Sequence, residues 1–563
     1  MPADWEFFAA SEPGDPAFRV LAFNGEDAIA EGYAFDILLL ASGIPPKNAQ
    51  KTQEELMSAP LLTLRGKRRA DNATFDWRGM AAEVSRCFSV SAGTVFRVLL
   101  RPRSWKLRFS THSRIFLDMP LPKLLERLLV LEGLAAGTDF DDTLKGGYKP
   151  RPFTCQYNES AFAFLARHLE RVGAYSYIRQ TDSGDVLVFT DGSAEAEALP
   201  LRDALDWGEN RDTTDEAVLS LVRTLAAGPA KVELRDYCTE HPGLTSGQAS
   251  STSGQWRKGA LAFYGESGLF GEVDCLGKKF SAENANARAG ELAAARLRAA
   301  DCVADFATGK SLVPWLRAGY AVALDGEKYQ ILRVRHRCRR PDDELGGEIL
   351  EKARGLGLLS EKEGDGKAGY GNDFVCHPLS AGPYAPERRT PWPVMPGVLP
   401  AVVDAAGDGE YAEMDDEGRY KVKFFFPEKV FRADAEVTTD GNNSIPLRMM
   451  QEHAGQNSGI HFPLQKKVEV LVAFVNGNPD RPVILGALPN PEHPSVVVDK
   501  NRQNNVIRTP GGQAISMTDT VGKKELSLKT AGGHGITMRD ENGKRELRLQ
   551  SPCGGNYIRI HEK

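Results

Sequence analysis

Between Ile507 and Ile560 apolar and polar residues alternate in short runs, and the runs recur at a fixed interval. Ala514-Ile515-Ser516-Met517-Thr518-Asp519 aligns with Gly535-Ile536-Thr537-Met538-Arg539-Asp540, an offset of 21 residues. The match continues downstream: Gly522 pairs with Gly543, Glu525 with Glu546, and Leu526 and Leu528 with Leu547 and Leu549. Alternation with period two predicts strands with one dry and one wet face. Recurrence at a fixed period predicts a solenoid or fibre. The dry set is Ile507, Ile515, Met517, Leu526, Leu528, Ile536, Met538, Leu547, Leu549, Ile558 and Ile560. The wet set includes Ser516, Thr518, Glu525, Ser527, Lys529, Thr537, Arg539, Glu546 and Arg548.

Such a repeat makes a poor core by itself. Each strand brings about two inward side chains, worth roughly 1.5–3 kcal/mol apiece when fully buried. Ordering each residue of backbone costs about 1–2 kcal/mol, and the strand edges stay open to aggregation. Identical strands from several chains around one axis remove both problems. The expectation is therefore an oligomeric β fibre, with a single-chain solenoid as the alternative.

Upstream the pattern is mixed. Strands are expected at Tyr33–Leu40, Leu61–Leu64, Thr94–Leu100 and Tyr175–Ile178. Leu124, Leu125, Leu128 and Leu129 form a helical stripe in Pro122–Leu134, with Gly133 near its end. A second helix is expected over Ser160–Val172, where Phe162, Leu165 and Leu169 share a face and Gly173 is a natural stop. A third, Ala-rich helix is expected over Ala282–Ala299. Ser246–Gln255 is expected to be a loop. Polar, glycine-dense Glu361–Asn372 marks a domain boundary, and short strands follow at Val398–Val403, Tyr420–Phe426, Ile445–Met450 and Val468–Val475. Close-spaced strands over about a hundred residues imply a small barrel. The expected division is 1–360 as a hub with two barrel-like halves, 361–391 as a linker, 392–490 as the barrel, 491–504 as a connector and 505–563 as the repeat.

Composition narrows the function classes. A net charge of −6 over 563 residues gives no global attraction to nucleic acid or an acidic membrane. Eight scattered cysteines lack any Cys-x-x-Cys pair, which suits reduced thiols better than a zinc site or disulfide framework. Met1-Pro2-Ala3-Asp4-Trp5-Glu6 lacks the features of a signal peptide, and no apolar run approaches the roughly 18 residues of a membrane span. Secretion would then use a route that reads no N-terminal signal.

Candidate chemistry is sparse. Gly364-Asp365-Gly366-Lys367-Ala368-Gly369 has the glycine spacing of a dinucleotide loop, without the flanking strand and helix. Arg333, Arg335 and Arg337 share one strand face, as a protein interface or as an exposed face with carboxylates nearby; no stacking aromatics are interleaved. His453 and His461 lie close in sequence without metal-ligand spacing. Asp342-Asp343 and Asp415-Asp416 lie in turn-rich segments. There is no Gly-x-Ser-x-Gly elbow, so no catalytic residue, metal or cofactor is expected.

Several segments resemble VgrG, the spike family of type VI secretion. They are Phe153-Thr154-Cys155-Gln156-Tyr157-Asn158-Glu159-Ser160 with the helix after it, Arg114-Ile115-Phe116, and Asp416-Glu417-Gly418-Arg419-Tyr420 through Phe424. They continue with His461-Phe462-Pro463, Gly477-Asn478-Pro479-Asp480-Arg481-Pro482 through Gly486, and Asn505 through Thr509. Ile445-Pro446-Leu447-Arg448 lacks the tryptophan of many relatives, and Lys466-Lys467 stands where many have a glycine. The resemblance implies a mainly β fold with some α: β-barrel hub domains similar to a phage baseplate hub, an OB-fold barrel, and a C-terminal triple-stranded β-helix formed by a homotrimer. It implies a non-enzymatic, membrane-puncturing spike at the tip of a contractile apparatus. The implied partners are an Hcp-like tube, a PAAR-type tip protein, baseplate proteins, secreted effectors and a mechanically contacted target membrane, but no nucleic acid. Assembly would occur in the bacterial cytoplasm before secretion or injection. The dry set would be the threefold core of the spike. About ten residues separate barrel and fibre, too few for an enzyme domain, and no effector domain is expected after Lys563. The alternatives are a hub-spike of a phage or phage-derived particle, and a solenoid that binds or cleaves cell-wall glycan.

Overall fold

The computed structural model describes residues 5–10, 18–192, 205–207, 216–229, 231–235, 246–250, 266–270, 282–341, 344, 346–359, 369–407, 409–432, 435–552 and 556–561. The chain forms two compact units. One comprises Met1–Gly397, Phe426–Thr439 and Phe474–Pro482; the other comprises Val398–Phe425, Asp440–Ala473 and Val483–Lys563.

The first unit is built on a twelve-stranded sheet. Six of its strands close a ring in the order Trp5–Ala10, Leu62–Arg68, Thr74–Val90, Gly93–Arg101, Gly32–Ser42 and Phe18–Ala28, which pairs again with Trp5–Ala10. Alternation explains its core: Tyr33, Phe35, Ile37 and Leu39 point inward and are fully buried. Inside, Trp77 lies 4.8 Å from Phe35, and Trp5 meets Phe75 edge-on at 5.1 Å. From Phe18–Ala28 the sheet runs on through Glu327–Arg339, Gly369–Pro378, Asp305–Ser311, Ala217–Leu225 and Asp206–Trp207.

The helices follow their stripes. Leu121–Leu131 buries Leu124, Leu125, Leu128 and Leu129. Ala161–Val172 starts where the Ser160 hydroxyl accepts the Ala163 amide at 3.1 Å, and it ends at Gly173 with φ 75°. Gly173→Ala is expected to lower hub stability by about 1 kcal/mol, because an L-residue is strained there. A urea midpoint unchanged from the parent would contradict this. The Ala-rich helix runs to Ala304, five residues beyond the expected end.

Two expectations in the first unit are corrected. Within the stretch read as a linker, Gly369–Pro378 is a strand paired along Glu327–Arg339, with Tyr370, Asn372, Phe374 and Cys376 buried at every second position. Glycines at 369 and 371 masked that alternation; residues 361–368, with most of the glycine motif, lie outside the described residues. Within the expected loop, Ser246–Ser250 is a strand held by backbone pairing to Lys231–Arg235, whose formation needs no apolar side chains. Residues 251–255 and Asp342-Asp343 also lie outside the described residues.

The second unit carries a barrel with strand order Val422–Phe424, Val398–Val403, Glu469–Phe474 and Pro482–Leu488. Expected strand Ile445–Met450 contributes only two bridges, Leu447 to Tyr420 and Met449 to Ile484, and these close the ring. Pro446 lacks the amide a full ladder needs. Ala401, Tyr420, Val422, Leu447, Val470, Val472 and Ile484 fill the interior.

The barrel sequence also supplies two pieces of the first unit. Lys429–Arg432 pairs in parallel with Arg114–Leu117, and Phe431 stacks on Phe116 at 5.5 Å. The turn at residues 474–482 places fully buried Asp480, which accepts the Cys155 amide at 2.6 Å and the Arg151 guanidinium at 2.7 Å. Asp480 thus ties two of the segments that carry the resemblance to each other.

Candidate assembly site in the tail

The tail is a six-stranded antiparallel meander: Asn504–Arg508, Ala514–Thr518, Lys523–Lys529, Gly535–Glu541, Lys544–Gln550 and Tyr557–His561. Turns at Gly522 (φ 76°) and Gly543 (φ 78°) hold equivalent places in successive repeats, which keeps the register constant. Ile507, Ile515, Leu528, Ile536, Leu549 and Ile558 consequently pair strand to strand in one row. Met517, Leu526, Met538, Leu547 and Ile560 form the adjacent row, opened by Asn505. All eleven residues of the dry set lie on one face.

That face is uncovered. Nine of the eleven are 37–63% exposed, and Ile536 and Leu547 are half-buried. The first row and Phe462 of the barrel line an open groove of about 1110 Å³. Isolated exposed apolar residues need no explanation, but two contiguous rows across six strands do.

The opposite face departs from the expectation that it is simply wet. Ser527 is only 4% exposed. Small Ser516, Ser527 and Thr537 occupy one row, and Ser516 and Thr537 are half-buried. Arg539 bonds Glu525 at 2.7 Å, and Arg559 bonds Glu546 at 2.6 Å. The Arg559 hydrogen bond holds the Glu546 carboxyl below its ordinary range. A single chain thus covers much of its polar face and shows its apolar one.

A third row on the apolar face was not anticipated. Thr509, Gln513, Thr530, His534, Ser551 and Asn556 each sit two residues beyond the first apolar row and line the same groove. Backbone bonds join them pairwise, Thr509 to Gln513, Thr530 to His534 and Ser551 to Asn556. Their composition reads as turn, yet the period-two spacing from Ile507, Ile515 and Leu528 was the available signal.

The arginine strand lies in the hub sheet, in the first unit. Arg333 bonds Glu26 and, at 2.9 Å, Glu31; Arg335 bonds Glu26 at 2.7 Å; Arg337 bonds Asp373. Carboxylates on neighbouring strands therefore accompany all three. Among the described residues, no group of three or more His, Cys, Asp or Glu is placed to hold a metal ion. His461 bonds Gln451 at 2.9 Å, and its ring stacks on Tyr420 with 6.3 Å between centroids.

One buried acid does carry a pH signature. Asp27 in the hub is 2% exposed and accepts the Ala318 amide at 2.8 Å. Burial pushes its pKa from 3.8 to about 7, against the opposing pull of that bond and of Arg317. The folded state thus keeps a proton that the unfolded chain releases near pH 4. Hub stability attributable to this group is full below pH 4 and is lost as pH rises to about 7. Asp27→Asn is expected to remove about 4 kcal/mol of that decline. Urea midpoints at pH 4.5 and pH 8 test it, and equal pH dependence in both proteins would contradict it.

Residues 26–341 match the phage tail baseplate hub family, more than half of the chain. The chain belongs to that family. Residues 426–488 of this hub-family protein match the type VI secretion system/phage-baseplate injector OB domain. It is 26% identical over 526 residues to the type VI secretion system spike protein VgrG5 of Pseudomonas aeruginosa, covering 90% of this chain and 61% of that relative. The hub-family chain thus spans about six-tenths of that protein's length. Among solved structures it is similar to an E. coli protein described as a type VI secretion component resembling the T4 bacteriophage tail proteins gp27 and gp5. That comparison has a TM-score of 0.54 and 20% identity, covering 86% of this chain and 100% of the other. It is also similar to a chain in a PdpA–VgrG complex, with a TM-score of 0.60 and 10% identity, covering 98% and 99%. The fold is that of a VgrG-like hub with an OB barrel, as the resemblance implied.

Proposed function

We propose that this chain forms a homotrimeric spike at the tip of a type VI secretion contractile apparatus. Three tails pack their apolar rows around one axis as a triple-stranded β-helix, with the dry set from Ile507 to Ile560 as its core. The carrying observation is the registered apolar face, open across all six strands. Burying what remains exposed would contribute on the order of 10 kcal/mol per chain before association costs. In this reading the hub seats on an Hcp-like tube, a PAAR-type protein caps the fibre, and effectors travel with the spike. The division into hub 1–360, barrel 392–490 and fibre 505–563 belongs to the same proposal. The work is mechanical and needs no catalytic residue: sheath contraction drives a stiff rod through a target membrane, and the spike leaves the bacterial cytoplasm with it.

Molar mass in solution tests this first. A trimer at micromolar concentration is expected, with an elongated particle in low-resolution images; a folded monomer with a protease-resistant tail would sink the reading. A hub-spike of a phage-derived particle is the second reading, favoured by a barrel family shared between both machines. Neighbouring genes for a secretion apparatus or a phage tail separate the two. A glycan-cleaving solenoid is disfavoured, because Glu525 and Glu546 on the polar face are engaged by arginines.

A further inference from the structure

Arginines in the hub ring and beside it are mostly neutralised by carboxylates: Arg97 by Asp36, Arg103 by Asp185 and Arg114 by Glu132, each at 2.8 Å. Arg101 and Arg108 differ. Among the described residues neither makes an ion pair. Each lies instead against an aromatic ring, Arg108 at 3.6 Å over Phe162 and Arg101 at 5.5 Å over Trp105. The Nε of Arg101 is buried without a hydrogen-bond partner. Burial lowers the pKa of both groups, and the charge of Arg101 lowers that of Arg108 further. Glu31 acts weakly on Arg108, but it is engaged by Arg333 at 2.9 Å.

Beside these cations the short helical turn Arg103–Arg108 presents Trp105, which meets Phe109 edge-on at 4.7 Å. Phe109 is 68% exposed, more than any other Phe, Tyr or Trp among the described residues. Two partly desolvated cations of like sign are costly without a counter-charge. Aromatic faces orient the guanidiniums but supply no formal negative charge, so the surface is complementary to an acidic ligand with an apolar group beside its carboxylates.

We propose that this corner of the hub, Arg101, Trp105, Arg108, Phe109 and Phe162, docks an acidic, apolar-tipped segment of a partner protein. The carboxylates pair with Arg101 and Arg108, and an apolar side chain covers Phe109. This does not depend on how the tail assembles.

The probe is a fluorescein-labelled, acetylated peptide Asp-Leu-Glu-Phe-Asp, titrated against the full chain by fluorescence anisotropy. Saturable binding at low salt is expected, weakening as salt rises. The same peptide with Asn and Gln for its acids should bind at least tenfold more weakly. Arg108→Gln with Phe109→Ala, both exposed positions, should also weaken binding at least tenfold while the chain still unfolds cooperatively. Arg101→Gln is the complementary variant and should act in the same direction. Absence of saturable binding, or equal binding by the Arg108/Phe109 variant, would overturn the proposal. So would a change in the chain's own molar mass on substitution, which assigns the corner to a second copy. Tighter binding of a thymidine oligonucleotide through the same residues would assign it to nucleic acid and overturn it too.

Discussion

Leu528→Asp is expected to abolish the assembled tail and yield monomers. Leu528 pairs with Ile515 on one side and Ile536 on the other, in the third of six strands. It therefore sits in the middle of the apolar row rather than at a frayed end. In a threefold assembly the substitution places three carboxylates in one apolar layer. Each is an uncompensated buried charge costing several kcal/mol, and the three also repel one another. The single chain tolerates the change, because Leu528 is 38% exposed within it. Hub and barrel should accordingly melt as in the parent while the molar mass falls to one chain. Val521→Asp is the matched control, since Val521 is 93% exposed in a turn. An unchanged mass for Leu528→Asp would remove the dry face from the assembly core.

The second large effect is expected inside the hub. Asp480 is fully buried, and its two oxygens accept the Cys155 amide and the Arg151 guanidinium. Nearby Arg167, also buried, bonds both oxygens of Glu159 at 2.7 and 2.9 Å and lies 4.1 Å over the Trp392 ring. Asp480→Ala removes the carboxylate that pairs with Arg151 and leaves the buried Cys155 amide without its acceptor, at a cost of about 3–5 kcal/mol. Asp480→Asn retains an acceptor and should cost less. Denaturant midpoints of both variants check the ordering, and equal, small losses would mean that the pair contributes little. The substitution should leave the molar mass unchanged, which distinguishes it from the tail variant.

Legibility differed along the chain for physical reasons. The dry face of the tail followed from residue spacing alone, and the structure adds the antiparallel register that keeps its Leu, Ile and Met residues in rows. The helix over Ala161–Val172 was legible too, since the shared face of Phe162, Leu165 and Leu169 and the stop at Gly173 are local signals, while the Ser160 cap appears only in the structure. Strand Gly369–Pro378 was not, because its partners Glu327–Arg339 and Asp305–Ser311 lie tens of residues away and its glycines resemble a linker. Asp480 looked like a turn aspartate, and only the strand Arg151–Ser160 brought to it by folding shows that it is an anchor. Nothing in the local sequence marks Arg101 and Arg108, because the rings beside them, Trp105 and Phe162, and the absence of an ion pair among the described residues emerge only on folding.

Sequence by itself determined the alternation, the 21-residue period, the hub and barrel resemblances and the set of apolar tail residues. These depend on neighbours a few positions apart or on local motifs. Tertiary structure decided that the six-stranded hub ring closes, that two barrel excursions join the hub unit, and that the tail's apolar rows stay uncovered. Each of those is set by contacts between segments far apart in the chain. Local periodicity can say which face is apolar, but not what covers it.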